Sequence, residues 1–78
     1  MKIELSTEMR DYYNVQLEYA RSRMEQTRAA YKEWDNAAYM EDSPGLAITY
    51  TARAGIAHDE FLFWTSVVSS LKRKLNDI

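Results

Sequence analysis

A heptad ladder fills the second half of this chain and constrains its fold more than any other feature. Ala47, Tyr50, Ala54, Ala57, Phe61, Trp64, Val68, Leu71, Leu75 and Ile78 follow one another at alternating steps of three and four residues. That period keeps one apolar seam on one side of a helix, the pattern that side-by-side packing of helices requires. The first half carries a matching seam of Tyr13, Leu17, Ala20, Met24, Thr27, Tyr31, Trp34 and Ala38.

Between the seams lies Glu41-Asp42-Ser43-Pro44-Gly45, where the single Pro of the chain meets one of its two Gly. Pro44 disfavours a helical conformation at Ser43 and suits the first helical position itself, so Ser43 reads as an N-cap. Upstream, Ser6 or Thr7 can cap a first helix that has Glu8 and Asp11 in its opening turn. Lys72, Arg73 and Lys74 complement the negative end of the second helix dipole. The spacing therefore predicts a helix over 6–39, a turn over 40–45 and a helix over 44–76, within a single domain covering 1–78. Each helix would be about 45 Å long, and a connection this short returns the second antiparallel to the first. The expected fold is all-α, a long antiparallel two-helix hairpin.

Folding the seams about the Pro-Gly turn gives a register in which facing residue numbers sum to 84 or 85. Ala38 then faces Ala47, Trp34 faces Tyr50, Tyr31 faces Ala54, Met24 faces Phe61, Ala20 faces Trp64 and Leu17 faces Val68. Large residues meet small ones, as packing at interior density demands. Gly55 is the weak point, because glycine inside a helix costs about 1 kcal/mol relative to alanine. A break between Ala52 and Ala57 would turn the hairpin into three helices.

Size makes a partner attractive. A 78-residue chain buries only about 60% of the surface its unfolded form exposes, and chains this small usually need a staple or an oligomer. Having no cysteine, it can form neither a disulfide nor a thiolate metal site. The face of the second helix opposite its seam should be polar in an isolated hairpin, yet Ile48, Ile56, Leu62 and Phe63 project there. Tyr12, Val15 and Tyr19 do the same on the first helix. Contiguous apolar residues of this kind mark an interface. The expectation is that the chain dimerises into a helical bundle and so covers them; the N-terminal segment through Ile3 and Leu5, or a docked partner protein, would do the same.

Charge excludes some classes of function. Residues 1–40 carry six basic and seven acidic groups, and residues 41–78 carry four and five. Neither half has the basic excess of an electrostatic nucleic-acid binder. The basic groups that could touch phosphates are Arg21, Arg23, Arg28, Lys32 and the Lys72–Lys74 run, with acidic residues interleaved among the first four. Pairs such as Glu18–Arg21, Arg21–Glu25 and Glu25–Arg28 stand at helical neighbour spacing and explain much of this charge. The opening Met1-Lys2-Ile3-Glu4-Leu5 lacks the apolar core of a signal peptide, and no run approaches about 18 apolar residues. A soluble, cytoplasmic protein is the expectation.

Catalytic chemistry is thin. His58-Asp59-Glu60 is the one stretch with the look of a site, but consecutive helical side chains point about 100° apart and cannot converge on one metal or proton. Carboxylate-bundle metal proteins need Glu-x-x-His pairs on two helices, and this sequence has none. No Gly-rich phosphate loop occurs. The expectation is no catalytic, metal or cofactor-binding residue at all.

Trp34-Asp35-Asn36, in a short helical hairpin with Trp near its turn, resembles the secreted WXG-type helical pairs. Asn36 stands where those proteins have Gly, and their C-terminal Tyr-x-x-x-Asp/Glu signal is not matched. The likeness is one of architecture, and no residue role follows from it.

The function expected from these observations is that of a small non-enzymatic protein–protein interaction module. It would act as an adaptor, regulator or inhibitor by occupying a surface of a larger protein or complex. Phage-encoded inhibitors of host defence are one class of chain with this size and composition. The expected contact residues are Tyr12, Val15, Tyr19, Ile48, Ile56, Leu62 and Phe63, with aromatic anchors first. The alternative is a nucleic-acid or nucleotide binder using Arg21, Arg23, Arg28 and the Lys72–Lys74 run.

Overall fold

A computed structural model describes residues 6–76 and places nearly all of them in two helices, α1 (Thr7–Met40) and α2 (Pro44–Asn76). Ile78, the last rung of the seam, and Ile3 and Leu5, the suggested cover, lie outside the described residues. The helices run antiparallel along each other and form a rod with extents of 59 × 20 × 12 Å.

Local chemistry sets the ends of each helix. Ser6 is extended and its hydroxyl oxygen accepts the Met9 N–H at 3.2 Å, so Ser6 rather than Thr7 caps α1. Glu41 leaves the helical conformation, and its N–H is donated to the Ala38 carbonyl at 3.4 Å. Its carboxylate then accepts the Ser43 N–H at 3.1 Å, which tightens the three-residue link. Ser43 holds the N-cap position of α2, where its carbonyl accepts the Ala47 N–H at 2.9 Å.

Gly55 does not break α2, which is continuous from Pro44 to Asn76. Tertiary packing supplies most helical stability in proteins, and Ala54 and Ala57, on either side of the glycine, are both buried against α1. The hydroxyls of Thr49, Thr51 and Thr65 donate to the carbonyls of Gly45, Ala47 and Phe61 at 3.2, 2.8 and 2.8 Å. These middling helix formers are thereby satisfied within the helix.

Every seam residue from Tyr13 to Ala38 and from Ala47 to Leu75 is buried or half-buried. The core is small. Leu17, Ala20 and Val68 form its buried cluster, surrounded by Met24, Trp64, Val67, Leu71 and Leu75. Trp34 meets Tyr50 with ring centroids 5.6 Å apart, as the register requires. The Tyr31 ring lies 5.0 Å from the His58 imidazole, one turn along α2 from Ala54, as expected of a side chain that leans towards the N-terminus of its own helix. The one buried polar side chain among the described residues, Thr27, donates its hydroxyl to the Arg23 and Met24 carbonyls at 2.9 and 3.0 Å.

The expected charge pairs along α1 do not form. Among the described residues, the ion pair within 4 Å is interhelical, Arg23 with Glu60 at 3.9 Å. Exposed pairs within a helix contribute only a few tenths of a kcal/mol, too little to hold long side chains in one geometry.

Candidate functional site: an exposed aromatic face

The two helices leave two broad faces between their edges, and these differ sharply. On α1, Tyr12, Val15, Tyr19, Arg23, Gln26 and Ala30 recur at steps of three and four and line one flank of its seam. The facing flank of α2 carries Ile56, Glu60, Phe63 and Val67 at the same steps. Side-chain contacts join the flanks into one surface. Tyr19 meets Trp64 edge-on at 5.6 Å, and Phe63 meets the same indole edge-on at 5.0 Å. Trp64 is half-buried against the core, whereas Tyr19 and Phe63 are 56% and 59% exposed. Such edge-on pairs contribute about 0.5–1.5 kcal/mol beyond area burial, so the triplet is a preorganised anchor rather than a set of loose rings.

Arg23 closes this aromatic patch towards the turn. Its guanidinium lies 5.9 Å from the Trp64 ring centroid, donates to Gln26 Oε1 at 2.9 Å, and stands 3.9 Å from the Glu60 carboxylate. Beyond it an open groove of about 340 Å³ runs between the helices, lined by Thr27, Trp34, Arg53, Ile56 and Glu60 among others. Exposed Met9 and Tyr12 extend the apolar surface towards the start of α1, where Tyr12 packs edge-on against Tyr13 at 5.7 Å.

The seven expected contact residues are all exposed, but they do not form one surface. Tyr19 and Phe63 converge on Trp64, and Ile56 lines the adjoining groove. Tyr12 and Val15 continue that face by helical spacing. Ile48 and Leu62 sit on the other side of α2, about a third of a turn or more away. Sequence projection grouped them because it sorted residues only by distance from the seam. It also missed Trp64 and Arg23 as parts of the surface, the first assigned to the seam and the second to the basic groups that could touch phosphates. The detectable signal was the step from Phe63 to Trp64, which joins seam to flank.

Comparison of the chain with protein-family models, curated proteins and solved structures finds no match. The surface must therefore be read from its own chemistry.

The remaining candidates separate in space. His58 turns towards Tyr31, while Glu60 points into the groove beside Arg23, and Asp59 is exposed. The three consecutive residues diverge, as helical geometry requires. Arg28 and Lys32 share a shallow depression with Glu25 away from the aromatic face. The Lys74 ammonium lies 6.0 Å from the Tyr13 ring, at the far end of the rod from the turn. Arg21, Arg28 and the Lys72–Lys74 run thus do not join Arg23 in one basic patch. Among the described residues, no cluster of three or more His, Asp or Glu could hold a metal, and no helix is long and apolar enough to cross a membrane.

Proposed function

We propose that this chain is a non-enzymatic protein–protein interaction module, acting in the cytoplasm as an adaptor, regulator or inhibitor by occupying the surface of other protein chains. The observation that carries this reading is the Tyr19–Trp64–Phe63 triplet, whose outer rings are more than half exposed although fixed edge-on to a half-buried indole. Exposed aromatic anchors held rigid by a scaffold are what interface hot spots are made of, because little side-chain entropy remains to be lost on binding. The groove next to them sets Arg23, Arg53, Gln26 and Glu60 beside Trp34, Ile56 and Ala57, a mix of polar and apolar groups of the kind that interfaces use.

Phe63→Asp tests it. Phe63 is more than half exposed, so the variant is expected to retain the helical circular-dichroism signal of the wild type. Any association that sedimentation or co-purification detects for the wild type is expected to be lost in the variant. Loss of helicity together with association would make Phe63 a structural residue and remove it from the surface. Binding that depends steeply on salt would instead favour contacts with phosphates, since an apolar face barely responds to ionic strength.

A further inference from the structure

We infer that the first occupant of this aromatic face is a second copy of the same chain, packed antiparallel about a two-fold axis passing close to Ile56. The inference rests on the association reading above and names its partner.

The first observation is a second ladder on α2. Leu46, Thr49, Arg53, Ile56, Glu60, Phe63 and Val67 repeat the three-four spacing of the seam, one residue earlier, and so form a stripe about 100° around the helix. α2 therefore carries apolar residues on a second side as well: of the seven, Leu46, Ile56 and Phe63 are each roughly half exposed, and Val67 leans against the core. A helix with two apolar sides belongs between two neighbours. α1 supplies only one.

The second observation is that the stripe is self-complementary. Its two charged residues have opposite sign and flank Ile56 nearly symmetrically, Arg53 three residues before it and Glu60 four after. A two-fold axis beside Ile56 carries Arg53 of each copy to Glu60 of the other, and does so twice. The same operation brings Leu46 towards Val67 and Thr49 towards Phe63, leaving Ile56 beside its own copy at the centre. A closed two-fold interface has this isologous character, in which one patch matches itself. A different partner protein would require no such symmetry. Arg53 has no carboxylate within 4 Å among the described residues, and the Glu60 pair with Arg23 is long and half exposed, so both charges remain open to the second copy.

The third observation is area. The chain exposes 6076 Å², where a compact monomer of 9.2 kDa exposes about 4,900 Å². The excess comes with the rod shape of 59 × 20 × 12 Å, whose long face is large enough for the ~800 Å² per partner of a standard stable interface. Pairing through the broad face gives a four-helix bundle with both α2 helices inside. It leaves Ile48, Leu62 and Gly55 on the outside.

A charge-swap mixing experiment tests the symmetry itself. Arg53→Glu and Glu60→Arg chains are purified separately, checked for helicity by circular dichroism, and compared with wild type by sedimentation equilibrium. The wild type is expected to be a dimer of twice 9.2 kDa. Each variant alone places like charges together at two points and should dissociate about tenfold or more readily. Mixed in equal amounts they restore both opposite-charge pairs and form a one-to-one heterodimer, and a single chain carrying both swaps recovers the homodimer. The double-swap chain keeps the experiment decisive if either single variant folds poorly. Gly55→Lys, on the far side of α2, should leave the dimer intact. A monomeric wild type up to about 100 µM, variants as tight as wild type, a mixture that stays monomeric, or dissociation by Gly55→Lys would each overturn the arrangement. A wild-type monomer that still holds another protein through Phe63 overturns the second copy while leaving the association reading standing; a monomer that holds nothing removes both.

Discussion

Gly55→Ala offers the sharpest test of how the hairpin is held together. Gly55 lies inside a continuous helix, and a Cβ added there meets nothing within 4 Å. Its φ is not positive, so an L side chain enters without strain. No contact is gained or lost in the folded chain, which leaves one effect. Alanine reduces the backbone freedom lost on folding, and the difference between the two residues in a helix interior is about 1 kcal/mol. For a domain of 60–100 residues that corresponds to a rise in Tm of about 4–8 °C. Urea unfolding followed by circular dichroism at one fixed protein concentration should show a higher midpoint with an unchanged slope. Concentration must be fixed because association would make the midpoint depend on it. Destabilisation would refute the reasoning in one of two distinguishable ways. A fall in helicity would mean that α2 bends or opens at Gly55. A fall in assembly mass with helicity intact would mean that another backbone approaches the glycine, and that the interface lies on that side of α2.

Two further substitutions probe the core directly. Leu17, 8% exposed within the Leu17–Ala20–Val68 cluster, should cost about 3 kcal/mol as Leu17→Ala, read as a lower urea midpoint; Val15→Ala, an exposed position on the same helix, should shift it by less than about 0.5 kcal/mol unless association buries that residue. Thr27→Val exchanges the buried hydroxyl for a methyl, and that hydroxyl bonds only to carbonyls of its own helix. Thermal unfolding should show a change between zero and about 1 kcal/mol in the stabilising direction, and a loss of more than 1 kcal/mol would mean that the hydroxyl holds α1 in shape.

The parts of this fold legible in sequence are those governed by periodicity and local chemistry. The two seams contain every fully buried described residue, because a 3.5-residue repeat turns one side of a helix to its neighbour, while half-buried Val67 and His58 come from beside the seam. The Pro-Gly turn fixes the register well enough to bring Trp34 to Tyr50. Charge pairing was not legible. Spacing placed Glu18, Arg21, Glu25 and Arg28 in reach of one another, but it carries no information on whether exposed side chains hold those contacts. The interhelical pair of Arg23 with Glu60 depends on how the helices are rotated about their axes, which the seams constrain only loosely. The same rotation decides which flank of α1 meets which flank of α2. That is why Tyr19 and Phe63 were recognised as exposed yet not as neighbours on one indole.

The same geometry explains why a chain of this kind cannot be judged by its core alone. Two helices share one line of contact, and here half of the residues buried along it are alanine (Ala20, Ala54 and Ala57, beside Leu17, Thr27 and Val68), with no large side chain fully buried among the described residues. Alanine seams let helices approach closely but remove little apolar surface per residue, so close packing is achieved at low hydrophobic gain. The large seam residues such as Trp34, Phe61 and Trp64 are only half-buried, and further large residues, Ile56, Phe63, Tyr19 and Val15, stand exposed on the flanks. Mutations that convert only these four to polar residues separate the possibilities. If the isolated hairpin is self-sufficient, its unfolding midpoint is unchanged and independent of concentration. If the flanks are covered in the working molecule, the midpoint falls and loses the concentration dependence of the wild type, because folding and association share the same free energy.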